Sequence, residues 1–260
     1  MKNKIKVAFF DIDGTLIDMN RKKISEKTVE TLIRLKENGV ILCIATGRGP
    51  FGLPHFGGIE FDAFLTFNGS YCFQKQQDIF SNPILKEDAK QIIQNAAFIN
   101  RPVSIATRNR LISNGTDCDL EEYYSFANMK VIVSDDFEKV LNEERIYQLL
   151  VSCRESERET LMKNVRQAKI TSWWDRAVDI IPKDGGKGVG IERILSYYHL
   201  YRSEAIAFGD GNNDIEMLQT VGFGVAMENA SEELKAVAVD VCGHVKDEGI
   251  YEYCLEHGLI

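Results

Sequence analysis

The sequence predicts an α/β protein: a Rossmann-like parallel-sheet core interrupted by an inserted α+β domain. Three observations point there. Short apolar runs at residues 4–10, 40–45, 63–67 and 205–208 each end in a polar or glycine-containing loop. Near-continuous apolar runs of β-branched and aromatic residues suit strands buried on both faces, as parallel strands are. Helical patterns separate the runs, which implies right-handed parallel crossovers. The alternation stops after about Ser81 and returns from Lys187, so the middle of the chain is a unit of another kind.

The first strand, residues 4–10, runs into Asp11-Ile12-Asp13-Gly14-Thr15. Ser25 then offers an N-cap, Val29, Leu32, Ile33 and Lys36 follow a helical stripe, and Asn38-Gly39 supplies a stop. The second strand, 40–45, leads to Thr46-Gly47-Arg48, and the third, 63–67, to Asn68-Gly69. Residues 85–99 read as a helix. Residues 103–106 and 111–113 flank a polar turn at Arg108-Asn109, the mark of an antiparallel hairpin. A strand is expected at 146–152, a helix at 155–165, and a second hairpin from 169–174 and 177–181. Trp173 and Trp174 then fall on a strand, where alternation sends one ring inward and the other outward.

From Lys187, the residues Ile191, Ile194, Leu195 and Tyr198 stripe one helix face, and residues 205–208 form a strand before Gly209-Asp210-Gly211-Asn212-Asn213-Asp214. Residues 214–218 begin a helix, 224–226 form a short strand, Asn229 with Glu232 resembles a capping box, and 239–241 form the last strand. Residues 1–81 and 182–260 are therefore expected to form the core, with 82–181 as the insert.

Composition narrows the function. The chain has 260 residues, 44% hydrophobic and 27% charged, with 20 Gly and 5 Pro, which describes an ordinary folded globular protein and excludes disorder and collagen. With 31 basic against 39 acidic side chains the net charge is −8, and basic clusters such as Arg21-Lys22-Lys23 are short, so no nucleic acid partner is expected. The charged stretch at residues 2–6 precedes a short apolar run that Asp11 ends, which argues against a secretion signal. No eighteen apolar residues run together, so no membrane span is expected and a cytoplasmic monomer or small homo-oligomer is. Six cysteines without CxxC spacing read as reduced thiols, with Cys43 and Cys72 as small core fillers. Four histidines without an HExxH pattern give no support to a zinc hydrolase.

In an open parallel sheet, ligands collect beyond the carboxyl ends of the strands. Residues two apart in extended chain project to one side, so Asp11 and Asp13 can face a shared ligand. Like charges so close raise each other's pKa unless a cation relieves them, and Asp210 and Asp214 add two more. A hard divalent cation resolves the conflict. Few carboxylates, with water and a phosphate completing the shell, describe Mg²⁺ better than Zn²⁺ or a caged Ca²⁺. Two other glycine patterns are set aside. Gly47-Arg48-Gly49-Pro50-Phe51-Gly52 matches GxGxxG, but Pro54 and Gly57-Gly58 argue against a long helix there, and no acidic residue follows at the usual distance. In Gly185-Gly186-Lys187-Gly188 the lysine precedes Gly instead of Ser or Thr, which departs from a Walker motif.

These loops resemble the haloacid dehalogenase (HAD) superfamily of phosphohydrolases. Asp11-Ile12-Asp13-Gly14-Thr15-Leu16 is similar to its first motif, Ala45-Thr46-Gly47-Arg48 to its second, Lys187-Gly188 to its third, and the 209–214 loop to its fourth. The long α+β insert and Phe67-Asn68-Gly69 look like the Cof-type branch, subfamily IIB, with a C2-class (C2B) cap. The resemblance implies that Asp11 is the nucleophile and forms an aspartyl-phosphate, and that Asp13 is the general acid and base. It implies Mg²⁺ held by the Asp11 carboxylate, the Asp13 backbone carbonyl and the Asp210 carboxylate, with Asp214 as ligand or support. Thr46, the Gly47 backbone and Asn213 would hold phosphoryl oxygens, Lys187 would neutralise their charge, and Arg48 is a further substrate contact. The expected function is hydrolysis of small phosphomonoesters, sugar phosphates or similar metabolites. The alternatives are a phosphomutase, phosphomannomutase-like, and a non-catalytic phosphometabolite sensor.

Overall fold

The computed structural model describes residues 4–75 and 77–260; Lys2 of the charged N-terminal stretch lies outside them. The strands follow in chain order as β1 (Val7–Phe10), β2 (Ile41–Ala45), β3 (Ala63–Thr66), β4 (Tyr71–Gln74), β5 (Gln77–Ser81), β6 (Val103–Ala106), β7 (Leu111–Ser113), β8 (Gln148–Ser152), β9 (Ala168–Thr171), β10 (Ala177–Pro182), β11 (Ala205–Gly209), β12 (Phe223–Met227) and β13 (Asp240–Cys242). Contacts divide the chain into two units. One comprises Met1–Thr46, Pro54–Phe80 and Lys187–Ile260, the other Gly47–Leu53 and Ser81–Gly186.

The first unit holds an eight-stranded sheet in the order β13-β12-β11-β1-β2-β3-β4-β5. The pairs from β13 through β3 are all parallel, with Val7 opposite both Ala205 and Ile41. Val7 and Phe9 join Cys43, Ala45, Ala63, Leu65, Ile191 and Ile194 in one core, while Ala8 and Phe10, on the opposite face, are equally buried. Burial on both faces explains why these strands read as unbroken apolar runs. Pairing turns antiparallel at β3–β4, in a segment not foreseen as strands. The turn after β4 carries Lys75 at φ 50°, so left-handed backbone occurs there without a glycine or asparagine to announce it.

Ser25 caps the helix Glu26–Glu37 by accepting from the Thr28 N–H. Its buried stripe is Thr28, Thr31, Leu32 and Leu35, rotated from the expected one, and Ile33 is exposed. Helix Lys187–Tyr197 buries Ile191, Ile194 and Leu195 as its pattern predicts. The helix Glu232–Val237 is capped by Ser231, whose hydroxyl accepts from the Leu234 N–H; Asn229, expected as the cap, has other partners.

The second unit is built on an antiparallel sheet, β7-β6-β8-β10-β9. Val103, Ile105, Leu149, Val151, Val178 and Ile180 form one core with Ala89, Ile92 and Ala96 of helix Lys86–Phe98. The alternate positions carry buried polar residues, Ser104, Gln148 and Asp179. A helix the pattern did not reveal, Cys118–Phe126, lends Tyr123, whose hydroxyl donates to Asp179 Oδ1 at 3.0 Å and accepts from Trp173 Nε1 at 3.1 Å.

Two expectations for this unit change. The helix at 155–165 shrinks to a 3₁₀ turn, Glu155–Glu157, and a single α-turn, Arg158–Leu161. Trp173 and Trp174 lie in the bend between β9 and β10 instead of on a strand, and both rings stack on Tyr123, with centroids 5.4 and 5.9 Å away. Strand β10 runs to Pro182, and the Gly185 N–H bonds back to the Pro182 carbonyl, so the chain leaves this unit after Gly186. Among the described residues no helix is long and apolar enough to cross a membrane.

Candidate active site

Strands β11, β1 and β2 are neighbours, and their carboxyl ends bring the loops at Asp210, Asp11 and Thr46 to one edge of the sheet. The Asp11 N–H still bonds to the Phe208 carbonyl, which ties the start of the first loop to the end of β11. Carboxylate oxygens of Asp11, Asp210 and Asp214 lie within 4.8 Å of one another. Lys187, the first residue of its helix, reaches between two of them, with Nζ 2.6 Å from Asp11 Oδ1 and 2.5 Å from Asp214 Oδ1. Its side chain is wholly buried.

Short-range structure holds this cluster. The first loop closes on itself through Ile17 N–H to the Ile12 carbonyl and Gly14 N–H to the Ile17 carbonyl. Gly14 adopts φ +89°, and a Cβ there would stand 2.1 Å from Asp210 Oδ2, so backbone conformation and space both demand glycine. The Thr15 hydroxyl donates to Asp210 Oδ1 at 2.9 Å. Asn229 donates from Nδ2 to the Gly14 carbonyl at 2.8 Å and accepts the Val245 N–H at 3.0 Å. In the fourth loop, Asp214 Oδ2 accepts the N–H groups of Asp210 and Gly211 at 3.1 and 3.2 Å. Asp214 thus gives one oxygen to the loop and the other to Lys187. Its role as clamp is explicit.

The electrostatics follow from burial. Desolvation pushes the Asp11 carboxyl up to about 7; Lys187 pulls it down, and Asp214 and Asp13 push it further up. Desolvation also raises Asp210 well above the carboxylate range, reinforced by Asp11 and Asp214. Burial alone would lower Lys187, but Asp11 and Asp214 outweigh it and hold its ammonium charged, with the pKa above that of a free lysine. Three crowded carboxylates with one lysine leave an excess of negative charge in a desolvated place. That donor set, all oxygen and all hard, fits a divalent cation of the Mg²⁺ kind.

The other expected site residues are placed as follows. Asp13 is half-buried, and its side chain is not part of the carboxylate trio. Thr46 is buried in the first unit, its N–H bonded to the Leu65 carbonyl and its carbonyl to the Asn68 N–H. Asn213 is half-buried, and its Nδ2 donates to Asn68 Oδ1 at 3.1 Å. Gly47 and Arg48 fall within the second unit. There the Gly47 carbonyl accepts from Gln148 Nε2 at 3.2 Å, and Arg48 Nη1 donates to the Gly52 carbonyl at 3.0 Å. The GxGxxG-like stretch opens only a three-residue 3₁₀ turn, Pro50–Gly52. Sequence reasoning missed Thr15 and Asn229. A hydroxyl ending the first acidic loop was a usable signal for Thr15; nothing local distinguished Asn229 from a helix cap.

Comparison with known proteins shows the family. The model of the haloacid dehalogenase-like hydrolases matches residues 8–254. The Bacillus subtilis protein YkrA is 30% identical over 256 residues, covering 98% of either chain. The 5-amino-6-(5-phospho-D-ribitylamino)uracil phosphatase YitU of the same organism is 28% identical over 272 residues, covering 99% of each. The solved structure of the HAD subclass IIB sugar phosphatase BT4131 superposes with a TM-score of 0.91 at 28% identity, covering 98% of this chain and 100% of that one.

Proposed function

Because this chain belongs to the haloacid dehalogenase-like hydrolase family, and is accordingly a phosphatase, we propose that it is a Mg²⁺-dependent hydrolase of small phosphomonoesters, sugar phosphates or similar metabolites. One observation carries the reading: Asp11, Asp210 and Asp214 crowd within 4.8 Å while Lys187 bridges Asp11 and Asp214. The substrate class is supported by the phosphatases of small phosphorylated metabolites among the relatives.

In this reading the Asp11 and Asp210 carboxylates and the Asp13 carbonyl would hold the cation, and Asp214 would support the loop. The bound ion supplies positive charge that lets these carboxylates ionise together and that offsets charge on the phosphoryl oxygens. Asp11 attacks phosphorus in line with the leaving oxygen, the P–O ester bond breaks, and Asp13 gives its proton to the departing alkoxide. Water then attacks the aspartyl-phosphate, Asp13 recovers a proton from it, and inorganic phosphate leaves with Asp11 restored. Phosphoryl transfer asks mainly for positioning and charge stabilisation. Lys187 fixes the Asp11 carboxylate by its hydrogen bond and places a positive charge beside the transferred group. Thr46 and Asn213 would contact the phosphoryl oxygens.

The test is phosphate release from 4-nitrophenyl phosphate and a panel of sugar phosphates with Mg²⁺, for the wild type and Asp11→Asn. Release by the wild type and its loss in the variant are expected. No release by the wild type, or release that survives the substitution, overturns the proposal. Transfer to a second hydroxyl with little free phosphate is the outcome a phosphomutase would give.

A further inference from the structure

Between β3 and β4 the backbone passes through three successive left-handed residues: Phe67 at φ 52°, Asn68 at φ 50° and Gly69 at φ 93°. Glycine takes this conformation freely and asparagine readily, but for phenylalanine it is a genuine outlier. Such backbone persists only where its surroundings over-determine it. Phe67 and Asn68 are each 1% exposed. The Asn68 N–H donates to the Thr46 carbonyl at 3.0 Å. On another side, the Gly69 Cα lies 3.1 Å from where a Cβ on Gly190 would stand, so the helix that begins at Lys187 abuts the turn. The Asn68 carboxamide oxygen takes the Nδ2 of Asn213 at 3.1 Å. One strained turn therefore touches the loop of Thr46, the helix of Lys187 and the loop of Asp210.

We propose that Asn68 is a positioning residue for the transferred phosphoryl group, acting through Asn213. A phosphoryl oxygen only accepts hydrogen bonds, so Asn213 must turn its amide nitrogen toward it and not its carbonyl. The Asn213 amide has two N–H groups. With Asn68 Oδ1 accepting one, turning the Asn213 amide alone would bring two carboxamide oxygens together, which disfavours the flip and leaves the second N–H for the substrate. The left-handed turn puts the acceptor in reach, which gives the strain at Phe67 a purpose. This rests on the reading of Asn213 as a phosphoryl ligand.

Asn68→Gly tests it, because glycine keeps the left-handed backbone while the carboxamide with its acceptor oxygen is removed. If Asn68 is a turn residue and nothing more, the variant keeps its KM and its inhibition constant for inorganic phosphate, even where its melting temperature shifts. If Asn68 is a positioning residue, then whatever the melting temperature does, its loss raises KM and the phosphate inhibition constant on the order of tenfold, the scale of a hydrogen bond to a charged group. Asn213→Ala should show the same loss, and adding Asn68→Gly to it should change the inhibition constant less than about twofold, since the two act as one unit. Unchanged constants in Asn68→Gly, or a full further loss in the double variant, overturn the role of Asn68 alone. A wild type that releases no phosphate overturns the phosphatase reading and this role with it.

Discussion

Lys187→Met removes one ammonium and little else, since the two side chains are similar in length and both unbranched. The nitrogen lost stands 2.6 Å from Asp11 and 2.5 Å from Asp214 inside a fully buried side-chain site. At an effective dielectric of about 20, each contact carries a gross attraction of about 6 kcal/mol. Desolvation of three charged groups offsets most of that, and breaking a buried pair from one side costs about 3–5 kcal/mol net. At about 2–4 °C per kcal/mol for a unit of this size, the metal-free melting temperature should fall by about 6–20 °C at pH 8.

The pH dependence identifies the cause. Asp11 has a folded-state pKa near 7, above its unfolded value, even with Lys187 present. A carboxylate raised in this way contributes stability that is fully present below the unfolded pKa and is lost as pH rises through the folded one. Lys187, raised above the free-lysine value, contributes stability that persists until pH climbs past that value, so its own titration is silent between pH 5 and 8. Without the ammonium, Asp11 stays protonated to higher pH, so the deficit at pH 5 should be smaller than at pH 8 by up to about 1.4 kcal/mol, or about 3–5 °C, while loss of the Asp214 contact persists at both. Differential scanning fluorimetry in EDTA at both pH values decides. An equal deficit at pH 5 and pH 8 would mean that the ammonium does not govern ionisation of Asp11, and would refute the reasoning. Phosphatase activity at saturating Mg²⁺ should drop by about 10²–10³-fold, as for loss of one preorganised charge donor.

Three further outcomes follow from the same geometry. Asp11→Asn, besides abolishing turnover, removes a carboxyl whose ionised form burial disfavours; its metal-free melting temperature at pH 8 should rise above wild type, with less change at pH 5, and a fall at pH 8 counts against the electrostatic account. Gly14→Ala places a Cβ 2.1 Å from Asp210 Oδ2 at φ +89°. The conformational penalty alone is about 1–2 kcal/mol, and displacement of Asp210 should weaken Mg²⁺ binding by about 10–100-fold in calorimetry; unchanged Mg²⁺ affinity contradicts the placement of Asp210 at the cation. Finally, protons compete with the cation for Asp11 and Asp210, so Mg²⁺ affinity should climb as pH rises toward about 7, with proton release visible as a buffer-dependent heat. A flat profile between pH 5 and 7 would exclude these carboxylates as ligands.

The parallel sheet was legible because its strands are buried on both faces and its loops fall where strands end. Val7, Phe9, Ala8 and Phe10 all face the interior, and that produces the unbroken run. The inserted unit was less legible. Helix Cys118–Phe126 packs an aromatic and polar face, Tyr123 against Asp179, over buried serine and glutamine positions, so no clean apolar stripe marks it. The helix at 155–165 failed for the opposite reason. Its apolar residues were present, but the Glu157 carboxylate bonds the Arg154 N–H and Arg101, which holds a 3₁₀ turn there instead of a longer helix.

At the site, the chemistry-bearing residue types were legible and their supports were not. Two acidic loops at strand ends pointed to a shared cation because converging like charges must be relieved by a cation or by protonation. Which hydroxyl or amide holds which carboxylate depends on closure of the chain over long separations: Thr15 meets Asp210, and Asn229 meets Gly14, only after β1 and β11 pair. The same closure is what makes the site costly. Pairing β1 with β11 places Asp11 against Asp210 and Asp214 whatever the solvent contains, and the single ammonium of Lys187 cannot neutralise three carboxylates. The raised pKa values of Asp11 and Asp210 follow from that crowding, and a hard divalent cation between the carboxylates would relieve it.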